Sequence, residues 1–567
     1  SHEKKDEIAD AQKLYQSVLL NFPMNRRARD GLAALNKSQQ NNIIKNPPQE
    51  VIDTLINLYN QGQLKAMAEQ AQALIKQYPR AFIIWNCLGV ANLNLGEVDQ
   101  AFKALKKVTE LNPYYADGFN NLGVALQEQG KYEEALQACK QALLLKPNYV
   151  DAYYNIGNIF KDQGSLKKAI EMYKKVISLK PDYAKVYNNM GIAFHNQLKF
   201  DQAIAAYNKG LELNFSSADI YCNMASSLKN QGKINESKEA LNKAISLKSD
   251  HAEAHQNLGY SLLNDGKLKE GLDKYEWRWK TSKNIDKQRH FMQPMWDGQQ
   301  SLVGKRILLW CEQGVGDTIM WSSRLSLIAS QAKHCILECQ PKLVPLLKRS
   351  FPNVEIKSED RSLDTQRHDF DYHLPMGSLY KNFIQELSKT DKADAYLVPN
   401  HLRVDYWKKR LKSLGKGPFI GIGWKSANMS PSRLQNYATI SELSPILKLP
   451  DVTFINLQYS DFANDLAQVQ DDIGVTVHNF DDLDHFNNID DVAALCSALD
   501  MVVSTQSTVP LISAGVGTST KLATWKPSTW NNILHKPVGP LVDRFERNTW
   551  EAWENIFKSI AEDIKKL

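Results

Sequence analysis

Two consecutive stretches decide the fold of the first half: ADGFNNLGVALQEQGKYEEALQACKQALLLKPNY (Ala116–Tyr149) and VDAYYNIGNIFKDQGSLKKAIEMYKKVISLKPDY (Val150–Tyr183). Shifted by 34 residues they coincide in kind: Phe119, Leu122, Gly123, Ala135, Cys139, Ala142 and Pro147 fall on Tyr153, Ile156, Gly157, Ala169, Tyr173, Val176 and Pro181. Upstream the same slots hold Trp85, Leu88, Gly89, Ala101, Leu105, Val108 and Pro113. Downstream they run through Tyr187, Met190 and Gly191, then Tyr221, Met224 and Ala225, to His255, Leu258, Gly259, Gly271 and Tyr275. Val51, Leu55, Ala71, Leu74 and Pro79 fit more weakly, and Ala11, Tyr15, Val18 and Pro23 fit half a unit.

This period and pattern describe tetratricopeptide repeats, two antiparallel helices per unit. Small residues sit where helices approach, large ones fill the gaps, and proline ends the second helix because it has no N–H to donate. Each unit leaves an apolar face that its neighbour covers, so the units stack as a solenoid. One column is not explained by packing. Asn121, Asn155, Asn189, Asn223 and Asn257 recur at 34 residues on the first helix of each repeat, although asparagine is a mediocre helix former. Such amides either bond to neighbouring helices or hold the backbone of an extended peptide. The column resembles the asparagine ladder that holds the acceptor protein in the repeat domain of O-linked N-acetylglucosamine transferase.

Outside the repeats the texture changes. The chain has 567 residues, 43% hydrophobic and 23% charged, a globular composition sized for about four domains of ~150 residues. No apolar run reaches the ~18–20 residues of a membrane helix, and the first ten residues have no apolar signal core. Seven cysteines without a CxxC pair argue against a disulfide framework and for a reducing, cytoplasmic setting. The net charge is +6; residues 1–280 hold 36 Lys+Arg against 30 Asp+Glu, and the remainder 33 against 33. So dilute a surplus does not make a nucleic-acid stripe.

Polar residues Asn36–Gln49, with Pro47 and Pro48, read as a linker. The organisation expected is therefore 1–48, a half repeat and linker; 49–280, the solenoid; and 281–417 and 418–567, two α/β lobes. In the first lobe, Arg306–Trp310, Cys335–Cys339 and Asp369–Leu374 read as strands and Thr318–Ala332 as a helix. In the second, Phe419–Trp424, Val452–Leu457, Val475–Asn479 and Met501–Ser504 read as strands and Asp490–Ala498 as a helix. The tail Trp550–Leu567 reads as an amphipathic helix that crosses back to the first lobe. Ligands of such lobes sit at the carboxyl ends of the strands.

The chemical candidates each have a plain structural alternative. Asp317, ending the loop EQGVGD (Glu312–Asp317), either caps a helix or accepts a proton from an attacking hydroxyl. Lys425 is either solvated or neutralises a leaving phosphate. Ser504–Thr508 either cap a helix or offer hydroxyls and N–H groups to a phosphate. No DxD-type carboxylate pair marks a metal site on an obvious strand end.

Taken in order, MWDGQQSLVGKRILLWCEQGVGDTIMW (Met295–Trp321), FDYHLPMGSL (Phe370–Leu379), GIGWKSAN (Gly421–Asn428), NLQYSD (Asn456–Asp461) and NIDDVAALCSALDMVVSTQST (Asn488–Thr508) resemble bacterial tetratricopeptide-repeat glycosyltransferases. The catalytic half of that family is similar to the heptosyltransferases. The resemblance implies a GT-B fold of two Rossmann-like lobes, inverting chemistry without a metal, and no resident cofactor beside the nucleotide-sugar co-substrate. The family includes enzymes that glycosylate flagellin, often from CMP-linked nonulosonic acids. It implies Asp317 as acceptor-side base, with Lys425 and His373 beside it in the catalytic set. Gly314, Gly316, Ser426, Asn428, Gln458, Thr505, Gln506, Ser507 and Thr508 are implied on the donor side. It implies Asn121, Asn155, Asn189, Asn223 and Asn257 as acceptor-binding. One departure stands out: the family's HLAGALG turn reads PLISAGVG here (Pro510–Gly517), without the histidine.

The reading is a protein O-glycosyltransferase that moves a sugar from a UDP- or CMP-linked donor to Ser or Thr of a polypeptide, such as flagellin, held by the repeats. Its rivals are an adaptor with a degenerate catalytic half, and a transferase acting on a glycan or lipid.

Overall fold

The structure is a computed structural model that describes residues 11, 13–15, 17–19, 25, 27–32, 47–213, 217–362, 364–383, 395–427, 429, 433–526, 542–548 and 550–566. Asn428, Pro23 and residues 36–46 of the linker lie outside the described residues. The chain divides into two compact units, Ser1–Phe194 and His195–Leu567.

In the first unit, antiparallel helix pairs follow the 34-residue period: Gln49–Asn60 with Leu64–Gln77, Phe82–Leu95 with Val98–Leu111, Ala116–Glu128 with Tyr132–Leu145, and Val150–Asp162 with Leu166–Leu179. The recurring slots are the contact points. A Cβ on Gly123 would lie 2.4 Å from the Cys139 sulfur, and one on Gly157 2.5 Å from the Tyr173 ring. The glycines therefore let the two helices of a unit close. Leu55, Met67, Ala71, Ile75, Ile84 and Leu88 form one buried cluster across neighbouring pairs, as the stacking argument requires. Between helices of a pair, Gly62, Gly96, Gly130 and Gly164 take a left-handed backbone with φ of +70 to +79°, which glycine adopts without a Cβ clash.

The second unit opens with further repeat helices: Phe200–Glu212, Ala218–Asn230, Ile234–Leu247, Ala252–Asn264 and Leu268–Tyr275. Its turns place Gly232 and Gly266 in the same left-handed slot, but the equivalent residue of the first turn is Leu198, with φ of 62°. After Tyr275 a 3-10 turn, Glu276–Lys280, carries Arg278 into the interior. The guanidinium lies over the rings of Tyr275 and Trp279. It donates to Glu276 (2.5 Å), to Glu312 (3.1 Å) and to Ser378 (2.8 Å). The motif YEWRW thus joins the last repeat to the first sheet through a buried guanidinium paired with two carboxylates.

That sheet has the order β3-β2-β1-β4, all parallel: β1 (Arg306–Trp310), β2 (His334–Cys339), β3 (Glu355–Ser358) and β4 (Tyr372–Pro375). The second sheet, also parallel throughout, runs β10-β9-β8-β5-β6-β7. Its strands are β5 (Phe419–Gly423), β6 (Thr453–Asn456), β7 (Val477–His478), β8 (Met501–Thr505), β9 (Ser519–Trp525) and β10 (Val542–Arg547). Burial on both faces explains the continuous apolar runs ILLW and MVV. The solenoid is thus followed by an α/β region, as expected.

Three strands, β3, β9 and β10, were not expected, and the helices differ from the expectation in three details. The helix Thr318–Ala332 is two helices, Val315–Ser322 and Leu325–Ala329. The hydroxyls of Ser322 and Ser323 donate to the Ile319 and Met320 carbonyls and compete with the helix ladder. The tail helix, Trp553–Ile564, does not cross to the first lobe. Trp553, Phe557, Ile560 and Ala561 join the core of the second sheet with Ile420, Ile422 and Phe454. The element that does cross is His401–Lys412, where Arg403 and Trp407 both donate to buried Asp491 of the second lobe.

Candidate functional site

A cavity of about 460 Å³ opens in the second unit, within the ~300–1,000 Å³ usual for small-ligand sites. It has three walls. The repeat helices supply Ser226, Lys229, Asn257 and Tyr260; the segment after β1 supplies Gln313, Asp317 and Trp321. The loop after β5 supplies Arg433, and the ends of β8 and β9 supply Gln506 and Trp525. The carboxyl ends of strands from both sheets therefore meet a face of the solenoid.

Asp317 is held by its own helix start. Its Oδ2 accepts the Gly314 N–H at 3.2 Å, the capping arrangement read from the sequence. Burial pushes its carboxyl above the ordinary range, while the Gly314 N–H and the Arg433 charge pull the other way. A carboxylate so placed is a stronger proton acceptor than a solvated one. Tyr260 is pushed up to about 12 by burial, with Asp317 adding to the effect and Arg433 opposing it. Lys229 has its ammonium held below the ordinary lysine value by desolvation. The indole N–H of Trp321 is buried without an acceptor among the described residues. Gln313 is fixed through its amide to the Tyr275 hydroxyl.

Of the residues expected at the site, Asp317, Gln506 and Asn257 line this cavity. Several donor-side candidates instead hold one another in place. Gln458 is buried and its Oε1 accepts the N–H groups of Trp424 (3.2 Å) and Lys425 (3.0 Å). Its amide therefore shapes the loop after β5. Lys425 is paired with Asp465 at 2.6 Å, so its charge is already matched. Ser426 shares a hydrogen bond with the Tyr459 hydroxyl at 2.7 Å. Thr505 is buried and donates to the Trp424 carbonyl. The Ser507 hydroxyl accepts the Val509 N–H at the helix Val509–Gly515, which Thr508 precedes without a side-chain cap. Gly314 is the N-cap of Val315–Ser322 and Gly316 lies in its first turn.

His373 is placed elsewhere. It lies on β4, packed against Phe291 and Trp310, and its Nδ1 accepts the Trp310 indole N–H at 3.3 Å. Burial holds its pKa down to about 4. It does not line the cavity with Asp317, and its contacts are those of a neutral core histidine.

The asparagine column spends amide protons between repeats. Asn121 donates to Asn86 at 3.0 Å, Asn155 to Asn120 at 2.9 Å, and Asn189 to Tyr154 and Asn158, both at 2.8 Å. Asn257 donates to the Cys222 sulfur, and Asn223 also has a partner. All five are half-buried, so each keeps a face open, while Asn121, Asn155, Asn189 and Asn257 each bond across to the preceding repeat.

Lys229, Tyr260, Trp321 and Arg433 were not singled out from the sequence. Lys229 falls 34 residues after His195 and before Leu263, so no column of like residues marks it. Among the described residues no three His, Cys, Asp or Glu side chains gather as a metal site, and no helix is long and apolar enough to cross a membrane.

Comparison with known proteins finds the repeats. Tetratricopeptide repeat models match residues 55–116, 116–149, 184–216 and 218–251, and a TPR repeat model matches 157–197. Protein FlbA of Caulobacter vibrioides is 29% identical over 312 residues, which are 52% of this chain and 52% of FlbA. The chain therefore spans about half the length of that curated relative. Among solved structures, MamA is 28% identical over 28% of this chain and 92% of its own, with a TM-score of 0.25. A thermophilic TPR protein of Thermus thermophilus, TTC0263, is 25% identical over 32% and 98%, with a TM-score of 0.29. The chain carries tetratricopeptide repeats that run into an α/β region of two parallel sheets, and it is similar over about half of its length to FlbA.

Proposed function

We propose that the chain is a protein O-glycosyltransferase with a GT-B catalytic half, taking a sugar from a nucleotide-sugar donor to a Ser or Thr hydroxyl of a polypeptide held by the repeats. The observation that carries this reading is the three-walled cavity: Asp317, the end of β8 and a face of the solenoid line one space. Tetratricopeptide repeats bind polypeptides, and the open faces of the asparagine column suit a peptide backbone. A hydroxyl presented beside Asp317 would lose its proton to that carboxylate as its oxygen attacks the anomeric carbon. The bond from that carbon to the phosphate oxygen breaks, and the electron pair leaves with the nucleotide. A single displacement of this kind inverts the anomeric centre. No resident cofactor takes part, and the donor is the UDP- or CMP-linked co-substrate. Flagellin, put forward by the resemblance, is the first acceptor to try.

The test is direct. The full chain is incubated with a candidate acceptor and nucleotide-sugar, with and without EDTA, and the acceptor is weighed intact by mass spectrometry. Addition of one sugar mass in both conditions supports the reading. A full panel of donors that leaves the acceptor mass unchanged, while the acceptor still binds the repeats, refutes it and leaves an adaptor.

A further inference from the structure

The cation expected, from its place after a strand end, to neutralise the leaving phosphate is engaged elsewhere. Lys425 is paired with Asp465, which also accepts the Trp424 indole N–H. Two other cations face the cavity, Lys229 from the repeat helix Ala218–Asn230 and Arg433 from the loop after β5. Neither forms an ion pair among the described residues. The only carboxylate lining the same space among the described residues is Asp317.

The two cations are held together by a clasp built from their neighbours. Asn230 follows Lys229 directly, and Gln435 lies two residues beyond Arg433. The Gln435 amide donates to both oxygens of Asn230, the carbonyl at 3.2 Å and the side-chain Oδ1 at 3.3 Å. The Trp550 indole N–H donates to the same Asn230 carbonyl at 2.9 Å. Arg547 in turn donates to the Gln435 carbonyl. The end of the repeat helix and the loop of the second lobe are therefore fixed side by side, with both cations toward the cavity. Desolvating an ammonium without an anion is costly, as the lowered lysine value reflects. The Trp321 N–H, without an acceptor among the described residues, adds a third donor in the same lining. Such a set of donors is matched by oxygens carrying negative charge.

We propose that Lys229 and Arg433 form the subsite that receives the phosphate oxygens of the sugar donor, so that the solenoid itself supplies part of the transfer chemistry. The inference rests on the transferase reading above and sharpens it. As the bond between the anomeric carbon and the phosphate oxygen breaks, charge collects on that oxygen, and the two cations offset it while Asp317 holds the acceptor's proton. Gln506, just after β8, lines the same space, its amide donating to the Thr524 hydroxyl at 2.9 Å.

The experiment uses the full chain, titrated calorimetrically with UDP, GDP, ADP and CMP, alongside Lys229→Met, Arg433→Met and Lys229→Arg. One nucleotide binds the parent chain. Each methionine variant weakens it by roughly 10–100-fold, the worth of a hydrogen bond to a charged group, with a shallower salt dependence. Lys229→Arg restores most of the affinity, which a misfolded variant would not. Unchanged nucleotide binding in Lys229→Met overturns the subsite and leaves the transferase reading standing. Unchanged nucleotide binding with a raised acceptor KM gives the anion to the acceptor, and overturns it equally. A parent chain that binds none of the four overturns both the subsite and the transferase.

Discussion

Replacing Asp317 with Asn separates catalysis from architecture. Asparagine keeps an oxygen for the Gly314 N–H, now accepted at 3.2 Å, so the start of the helix Val315–Ser322 keeps a cap worth about 1 kcal/mol. The variant cannot take a proton. Loss of a general base lowers the rate by roughly 10²–10⁴-fold, which is about 2.7–5.4 kcal/mol of barrier. Stability moves the other way. Burial raises the Asp317 carboxyl in the folded chain, so the fold binds that proton more tightly than the unfolded chain does. Such a group weakens the fold as pH rises above the carboxyl range. Asp317→Asn is therefore as stable as the parent at pH 7, or more so, and the difference vanishes in acid. Initial rates come from the intact mass of the acceptor, and stability from urea unfolding at pH 7 and below pH 3. Transfer within tenfold of the parent rate refutes Asp317 as the base. A marked loss of stability at pH 7 refutes the argument that the carboxylate is held against its own folding preference.

Three further outcomes are expected. His373→Gln keeps an acceptor for the Trp310 indole and leaves transfer intact. Because the fold holds His373 down to about 4 against ~6.5 unfolded, the parent loses stability as pH falls through that window. The variant shows a shallower acid limb in pH-dependent urea unfolding. Gly157→Ala places a carbon 2.5 Å from the Tyr173 ring and destabilises the first unit by about 1–3 kcal/mol, read as a lower urea midpoint. Asn155→Ala with Asn189→Ala removes the bonds to Asn120, Tyr154 and Asn158. Each change costs about 0.5–1.5 kcal/mol, and together they raise the acceptor KM. An unchanged KM would confine the column to holding the repeats together.

The repeats were legible because one interaction recurs at fixed spacing, so Gly123 against Cys139 and Gly157 against Tyr173 announce each other. A second recurring column, the left-handed glycines at 62, 96, 130, 164, 232 and 266, carries the same information. The strands β1, β5 and β8 were legible because parallel strands buried on both faces are runs of aliphatic residues. β9 was missed because its sequence STKLATW breaks that rule. Lys521 lies buried within it, matched by Asp543 of β10 and Asp563 of the tail helix, partners that only tertiary structure brings together. At the site, Asp317 was readable from its loop. Lys229 and Arg433 were not, because their meaning comes from the Asn230–Gln435 clasp between positions 205 residues apart. For the same reason Gln458 and Thr505, which do lie at strand ends, turn inward to build the loops that they were expected to serve.

The three walls of the cavity also impose an order in time. Lys229 leaves the ribosome roughly 300 residues before Trp525, which is about 15–60 s at 5–20 residues per second. Throughout that interval the repeats are already made, but the space around Asp317 has no second-lobe wall. Under the proposed function, transfer would thus be confined to chains completed through the last strands of the second sheet, and a nascent chain would have only its repeats to offer a client.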